Sequence, residues 1–211
     1  MATRSYGQFC ALARALEHVG ERWTLLIVRE LLLGPRSFAG LQRALPGISP
    51  TLLVERLDRL QADGLAVRNA APQRSKSVSY TLTPAGQELE PVVLALMRWG
   101  SRWMLDGPQD DLVDAAWTPL ALRSMLDGPV PSCVATGAVQ FYVEETDVAV
   151  VISDRQRRVS AGVVTHPAAT VTCSVPQLFG ALAGGPAAVD QLARTGATEL
   201  VRDALAIEVG R

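Results

Sequence analysis

The segment Arg36–Asp63, RSFAGLQRALPGISPTLLVERLDRLQAD, limits the fold most tightly, because two apolar helical periods are divided by residues that no helix runs through. Phe38, Leu41 and Leu45 recur at helical spacing, and Pro46-Gly47 then breaks the period before Ile48. Ser49-Pro50 restarts it. A serine side chain at an N-cap accepts a bond from an orphan N–H, and proline at the first helical position has no N–H to leave unpaired. Leu53, Leu57 and Leu60 bury one face of this second helix and leave the other turned outward. The spacing predicts two short helices meeting at a tight turn.

The outward face carries Ser49, Thr51, Glu55, Arg56 and Arg59, whose hydroxyl, carboxylate and guanidinium groups suit base edges and phosphates in a major groove. For each arginine the bland alternative is a solvated face or an intrahelical pair such as Glu55 with Arg59. Generic helical hairpins are common and most bind nothing, so the continuation of the chain decides. Gly64 stops the second helix, and Leu65 to Arg68 and Val78 to Leu82 alternate as two strands. Arg74 and Lys76 lie in the polar loop between them. That pattern predicts a two-stranded wing, with Arg36, Arg43, Arg74 and Lys76 placed over phosphates. Thr83-Pro84 then caps another helix.

The run from Cys10 to Arg68, followed by Tyr80 to Leu89, resembles the HxlR-type winged helix-turn-helix transcription regulators of bacteria. The resemblance rests on Cys10, Gly20 to Trp23, Leu31 to Gly34, Gly47-Ile48-Ser49 and Tyr80 to Gly86. It implies a dimer on double-stranded operator DNA, formed through the first helix and the 84–104 helix. Some members sense oxidants or electrophiles through an early cysteine, which makes Cys10 a candidate redox-sensing thiol; the alternative is a small packing residue. Here Ala11 stands where the family pattern has a proline after that cysteine.

At 211 residues the chain exceeds one such module, and its charge divides unevenly. Residues 1–105 hold 13 Lys+Arg and 8 Asp+Glu, against 7 and 13 in residues 106–211. A basic first half favours a polyanion as partner, and an acidic second half would be repelled by it. Asp106 to Asp114, acidic and broken by Gly-Pro, reads as a linker 106–114 between a 1–105 DNA-binding and dimerisation domain and a 115–211 domain. Met1 to Gln8 are expected to form a short arm. Helices are expected over 9–19 and 21–33, the second apolar nearly all round with Trp23 in the core. A long helix over 84–104 carries the stripe Leu89, Val92, Val93, Leu96, Trp99, Gly100 and Trp103.

The second half predicts a helix at 115–127, then strands at 138–144, 148–153 and 159–164 as an antiparallel meander. A fourth strand is expected at 171–174, helices from Pro176 and around 187–195, and a terminal stretch 199–209. The fold class is therefore α+β: a mainly helical winged helix-turn-helix unit followed by an α+β domain with an antiparallel sheet. The order of the second half resembles the sterol-carrier-protein-like fold, which implies an apolar tunnel. Its candidate lining, for a small hydrophobic effector, is Trp117, Met125, Phe141, Val143, Val150, Ile152, Leu178, Phe179 and Leu182; ordinary core is the alternative for each.

No cofactor, metal site or membrane span is expected. Cys10, Cys133 and Cys173 form no CxxC pair, His18 and His166 stand in different domains, and Gly184-Gly185 lacks the context of a phosphate loop. No stretch of about eighteen apolar residues occurs. The sequence thus reads as a cytoplasmic, nucleoid-associated regulator rather than an enzyme, its DNA affinity set by a small apolar effector. The other reading is a hydrophobic-ligand carrier that uses the winged helix for dimerisation or protein interaction.

Overall fold

The computed structural model describes residues 5–70, 78–104, 110–131 and 133–206, and the chain divides into two units, Met1–Val93 and Leu94–Arg211. In the first, α1 (Ala11–Val19) is followed by α2 (Thr24–Leu32), β1 (Arg36–Ser37), α3 (Phe38–Ala44) and α4 (Pro50–Ala62). Then come β2 (Ala66–Asn69), β3 (Ser79–Leu82), α5 (Pro84–Gln87) and α6 (Glu90–Gly100), the last crossing into the second unit. Ile27, Val28, Leu31, Leu41, Leu45, Leu53, Leu57 and Leu60 are buried, so α2, α3 and α4 each give one apolar face to a common core.

Local chemistry fixes the helix ends. Ser37 Oγ accepts from Gly40 N–H, Ser49 Oγ from Leu52 N–H and Thr83 Oγ from Gly86 N–H, so α3, α4 and α5 all start on side-chain caps. Gly64, at φ 69°, closes α4, and Leu65 N–H returns to Leu60 O at 2.8 Å. Thr83 binds the same corner, its N–H donating to Leu65 O and its Oγ to Gly64 O. A Cβ on Gly86 would come within 2.0 Å of Leu65 O, so only glycine lets the segment after β3 lie against the end of α4.

Three expectations for this half require correction. The sheet has three strands, not two, because Arg36 pairs with Tyr80 and Ser37 with Ser79 beside the β2–β3 ladder. Helix α2 begins at Thr24; Trp23 adopts φ 78° and is half-buried, and Leu26 is exposed, so the helix is not apolar-packed all round. The 84–104 helix is interrupted at Glu88-Leu89 and ends in a 3-10 turn, Ser101–Trp103. Pro91 bears on the interruption, because it offers no N–H to the carbonyl four residues earlier, that of Gln87.

In the second unit a 3-10 turn, Ala115–Trp117, leads into α7 (Thr118–Leu126), then β4 (Gly128–Pro129), β5 (Gly137–Val143), β6 (Thr146–Ser153) and β7 (Gln156–Ala161). These are followed by β8 (Ala169–Cys173), α8 (Val175–Gly184), α9 (Pro186–Val189), β9 (Ala193–Gly196) and α10 (Thr198–Leu205). The strands lie in the order β4-β7-β6-β5-β8-β9. Strands β5, β6 and β7 form the expected antiparallel meander, yet β8 runs parallel to β5, with Val139 opposite Ala169 and Val143 opposite Cys173. The sheet is therefore mixed rather than antiparallel.

Residues 193–195, expected to end a helix around 187–195, lie instead in strand β9 on the free edge of β8. The edge supplies hydrogen-bonding partners that no local sequence period reveals. Ser174 and Gln177 make a reciprocal capping box at the start of α8. Buried Arg157 donates from Nε to Leu126 O and from Nη1 to Asp203 O and Ala206 O, holding the ends of α7 and α10 together.

Candidate nucleic-acid interface

Helix α4 is the second helix of a helix-turn-helix, packed by Leu53, Leu57 and Leu60 and preceded by the Leu45–Ser49 turn. Gly47, at φ 93°, lies under the Trp23 ring, 3.6 Å from where a Cβ would stand. Trp23 therefore acts as a platform for the turn, and the Arg22 guanidinium lies over its ring, 5.2 Å from the centroid. The exposed face of α4 comprises Pro50, Thr51, Val54, Glu55, Asp58 and Ala62. Ser49 is exposed as well, with its hydroxyl engaged as the cap.

The two α4 arginines point elsewhere than the sequence suggests. Arg56 donates from Nε to Arg22 O at 3.3 Å and pairs with Glu21 at 3.2 Å and Glu55 at 3.3 Å; its side chain is only 13% exposed. Arg59 pairs with Asp63 at 2.9 Å and reaches Glu17 O at 3.5 Å. The intrahelical partner of Arg59 is thus Asp63, not Glu55. Both guanidinium groups bind α4 to the α1–α2 region. Thr51 and Glu55 keep their place on the outward face, beside Val54 and Asp58, which were not among the sequence candidates.

Arg43 at the end of α3 is exposed, and so is Arg68 on β2. Arg68 was not among the sequence candidates; its place on a strand of the wing is the signal that could have found it. Arg36 is half-buried in β1, 3.6 Å from the Glu30 carboxylate, which also pairs with Arg29 at 2.8 Å. Arg74 and Lys76, the expected wing tip, lie outside the described residues.

At the N-terminal side, Glu17 accepts from Tyr6 N–H at 2.8 Å, from Ser5 Oγ at 3.0 Å and from Arg14 at 2.9 Å. The backbone N–H of Tyr6, followed by the Arg14 guanidinium, holds its carboxyl below the ordinary value. Arg14 is thereby directed to Glu17 rather than to Cys10, which is exposed at the start of α1. Tyr6, Phe9, Leu12 and Leu16 are exposed apolar residues of this segment, as are Val92, Leu96, Trp99 and Trp103 of α6 and the turn after it.

His18 Nδ1 lies 2.9 Å from Asp63, in a cavity of about 230 Å³ lined also by Ala15, Val19, Leu65 and Leu89. Arg59 shares the Asp63 carboxylate, and among the described residues no hydroxyl or thiol lines the cavity to serve as a nucleophile. In the second unit, Phe141, Val143, Val150, Ile152, Leu178 and Leu182 are buried in one core cluster. Met125 and Phe179 pack against it partly buried, and Trp117 is half-buried. The proposed lining residues are brought together, but six of the nine are spent on packing one another.

A side-chain-capped helix pair with an antiparallel wing defines the first unit as a winged helix-turn-helix. Residues 18–107 match the HxlR-like helix-turn-helix family. The chain is 35% identical over 98 residues to an uncharacterized HTH-type transcriptional regulator of Synechocystis, covering 46% of this chain and 73% of that one. It is 33% identical over 91 residues to YvaP of Bacillus subtilis, also an uncharacterized HTH-type transcriptional regulator, covering 43% and 84%. The transcriptional regulator YodB of B. subtilis, in its reduced form, is a solved structure with 31% identity, 47% and 99% coverage and a TM-score of 0.41. The chain belongs to the HxlR-like helix-turn-helix family. Residues 108–211 lie beyond the family match.

Proposed function

We propose that this chain is a DNA-binding transcription regulator that acts as a homodimer on operator DNA. The observation that carries the reading is the family's helix-turn-helix with its α4 face left outward, Thr51, Val54, Glu55 and Asp58 all exposed. In this reading α4 enters a major groove, and Arg43, Arg68 and the wing residues Arg74 and Lys76 meet phosphates, which position the protein without reading sequence. Among the described residues no helix is long and apolar enough to cross a membrane.

Exposed Tyr6, Phe9, Leu12 and Leu16 in the first unit, and exposed Leu96, Trp99 and Trp103 along α6 and its 3-10 extension, support dimerisation through these segments. A dimer sets two recognition helices about one turn of DNA apart, which turns a weak single contact into a selective one. For the second unit we propose the sterol-carrier-like reading. What supports it is the sequence of helix, three-strand meander, fourth strand, then helix ending at Gly184-Gly185-Pro186.

An apolar effector would have to be received at Trp117, Met125 and Phe179, the three candidates not fully buried, and could shift DNA affinity only by its differential affinity for two states. Hydroxyl-radical footprinting of the full chain on DNA flanking its own gene tests the regulator reading. Two protected patches about 10 base pairs apart, or a multiple of that, are expected. Protection without periodicity or preferred position would contradict it.

A further inference from the structure

We propose that Val54, rather than Arg56 or Arg59, is the residue through which α4 distinguishes bases, and that it does so by packing on the 5-methyl group of a thymine. The inference rests on the DNA-binding reading above and names the specificity of that same helix.

The first observation is placement. Val54 is the fifth residue of the 13-residue α4, in the N-terminal half that enters a groove, and it is 47% exposed between Thr51 and Glu55 on the outward stripe. The second is what the arginines do. Arg56 is held by Arg22 O, Glu21 and Glu55, and Arg59 by Asp63 and Glu17 O; reaching a base edge would cost each of them those partners.

The third is the residue type. Valine loses rotamer freedom in a helix and here gains little burial within its own chain in return, whereas Thr51, Glu55 and Asp58 around it are ordinary polar surface. The chemistry of the groove then selects the partner. Major-groove edges present donors, acceptors and one apolar group, the thymine methyl, and an exposed isopropyl group matches only the last.

The test uses the full chain to select its preferred duplex from a library with a randomised core. Each thymine of the selected site is then replaced in turn by deoxyuridine, which removes the methyl and leaves base pairing and the groove's hydrogen-bonding groups unchanged. At one thymine, or at it and its symmetry mate, uracil should weaken wild-type binding roughly three- to fivefold, the effect of leaving about one methyl group unburied.

Val54→Ala should bind the thymine duplex as weakly as wild type binds the uracil one, lose the discrimination and keep the wild-type salt dependence. Val54→Thr, which retains one methyl group in the same shape, should keep part of it and guards against a folding defect in the alanine variant. Wild-type indifference to uracil at every thymine, or undiminished discrimination by both variants, would overturn the inference while leaving the regulator reading intact. A library that yields no preferred duplex would instead overturn the regulator reading, and this inference with it.

Discussion

Arg56 shows how a side chain's role depends on partners far away in sequence. Its carbonyl acceptor on Arg22 and its carboxylate partner Glu21 lie more than thirty residues before it, so no reading of α4 alone could show that the guanidinium turns inward. Arg56→Ala should therefore lower the stability of the first unit by about 1 kcal/mol and leave base preference unaltered, checked by urea denaturation alongside the thymine series. A changed preference at constant stability would return Arg56 to the groove.

Glu30 is the stronger case, with a side chain fully buried between Arg29 and Arg36. Glu30→Gln leaves two guanidinium groups without the carboxylate and should cost on the order of 3 kcal/mol, read from the denaturation midpoint. Cys173 is raised from 9.0 to about 11 by burial first and by the Glu144 carboxylate second. The folded state thus holds that proton more tightly than the unfolded chain. Its contribution to stability is complete below pH 9.0 and is lost as the pH rises toward about 11. In a maleimide mass-shift assay near neutral pH, exposed Cys10 and Cys133 should label and Cys173 should resist until the chain unfolds.

At the scale of elements, what was legible was what is local. Ser49-Pro50, Thr83-Pro84 and Gly64 announce helix ends through caps made within three or four residues, and α4 and α5 begin where those residues say. The outward stripe of α4 was legible in part, since helical spacing gives the face but not which cations leave it. Strand β9 was not legible because Ala193–Gly196 has no apolar alternation of its own and takes its form from the edge of β8. The parallel pairing of β8 with β5 was hidden for a similar reason, being set by the crossover and not by the strand.

Arg157 joins elements in the same way, one buried cation serving carbonyls at the ends of α7 and α10. Replacing it by methionine would leave those acceptors without their donor, and a loss of about 2–4 kcal/mol is expected for the second unit. Circular dichroism during thermal unfolding reads that loss. No shift in midpoint would show that water serves the carbonyls equally well.

For the whole molecule, the division of charge noted in the sequence becomes a prediction about binding. The cations of the first half are expected to act on phosphates as a group, and each one neutralised releases counterions, so affinity must fall steeply with salt. The exposed apolar residues of α1 and α6 bear on the same quantity, because a dimer doubles the phosphates met. The most direct measurement is fluorescence anisotropy of labelled DNA from upstream of the chain's own gene, titrated with the full protein across a salt series and against unrelated competitor DNA. The account predicts tight binding with a log–log salt slope of several units, and resistance to the competitor. Binding no stronger than to the competitor, even at low salt, would contradict it.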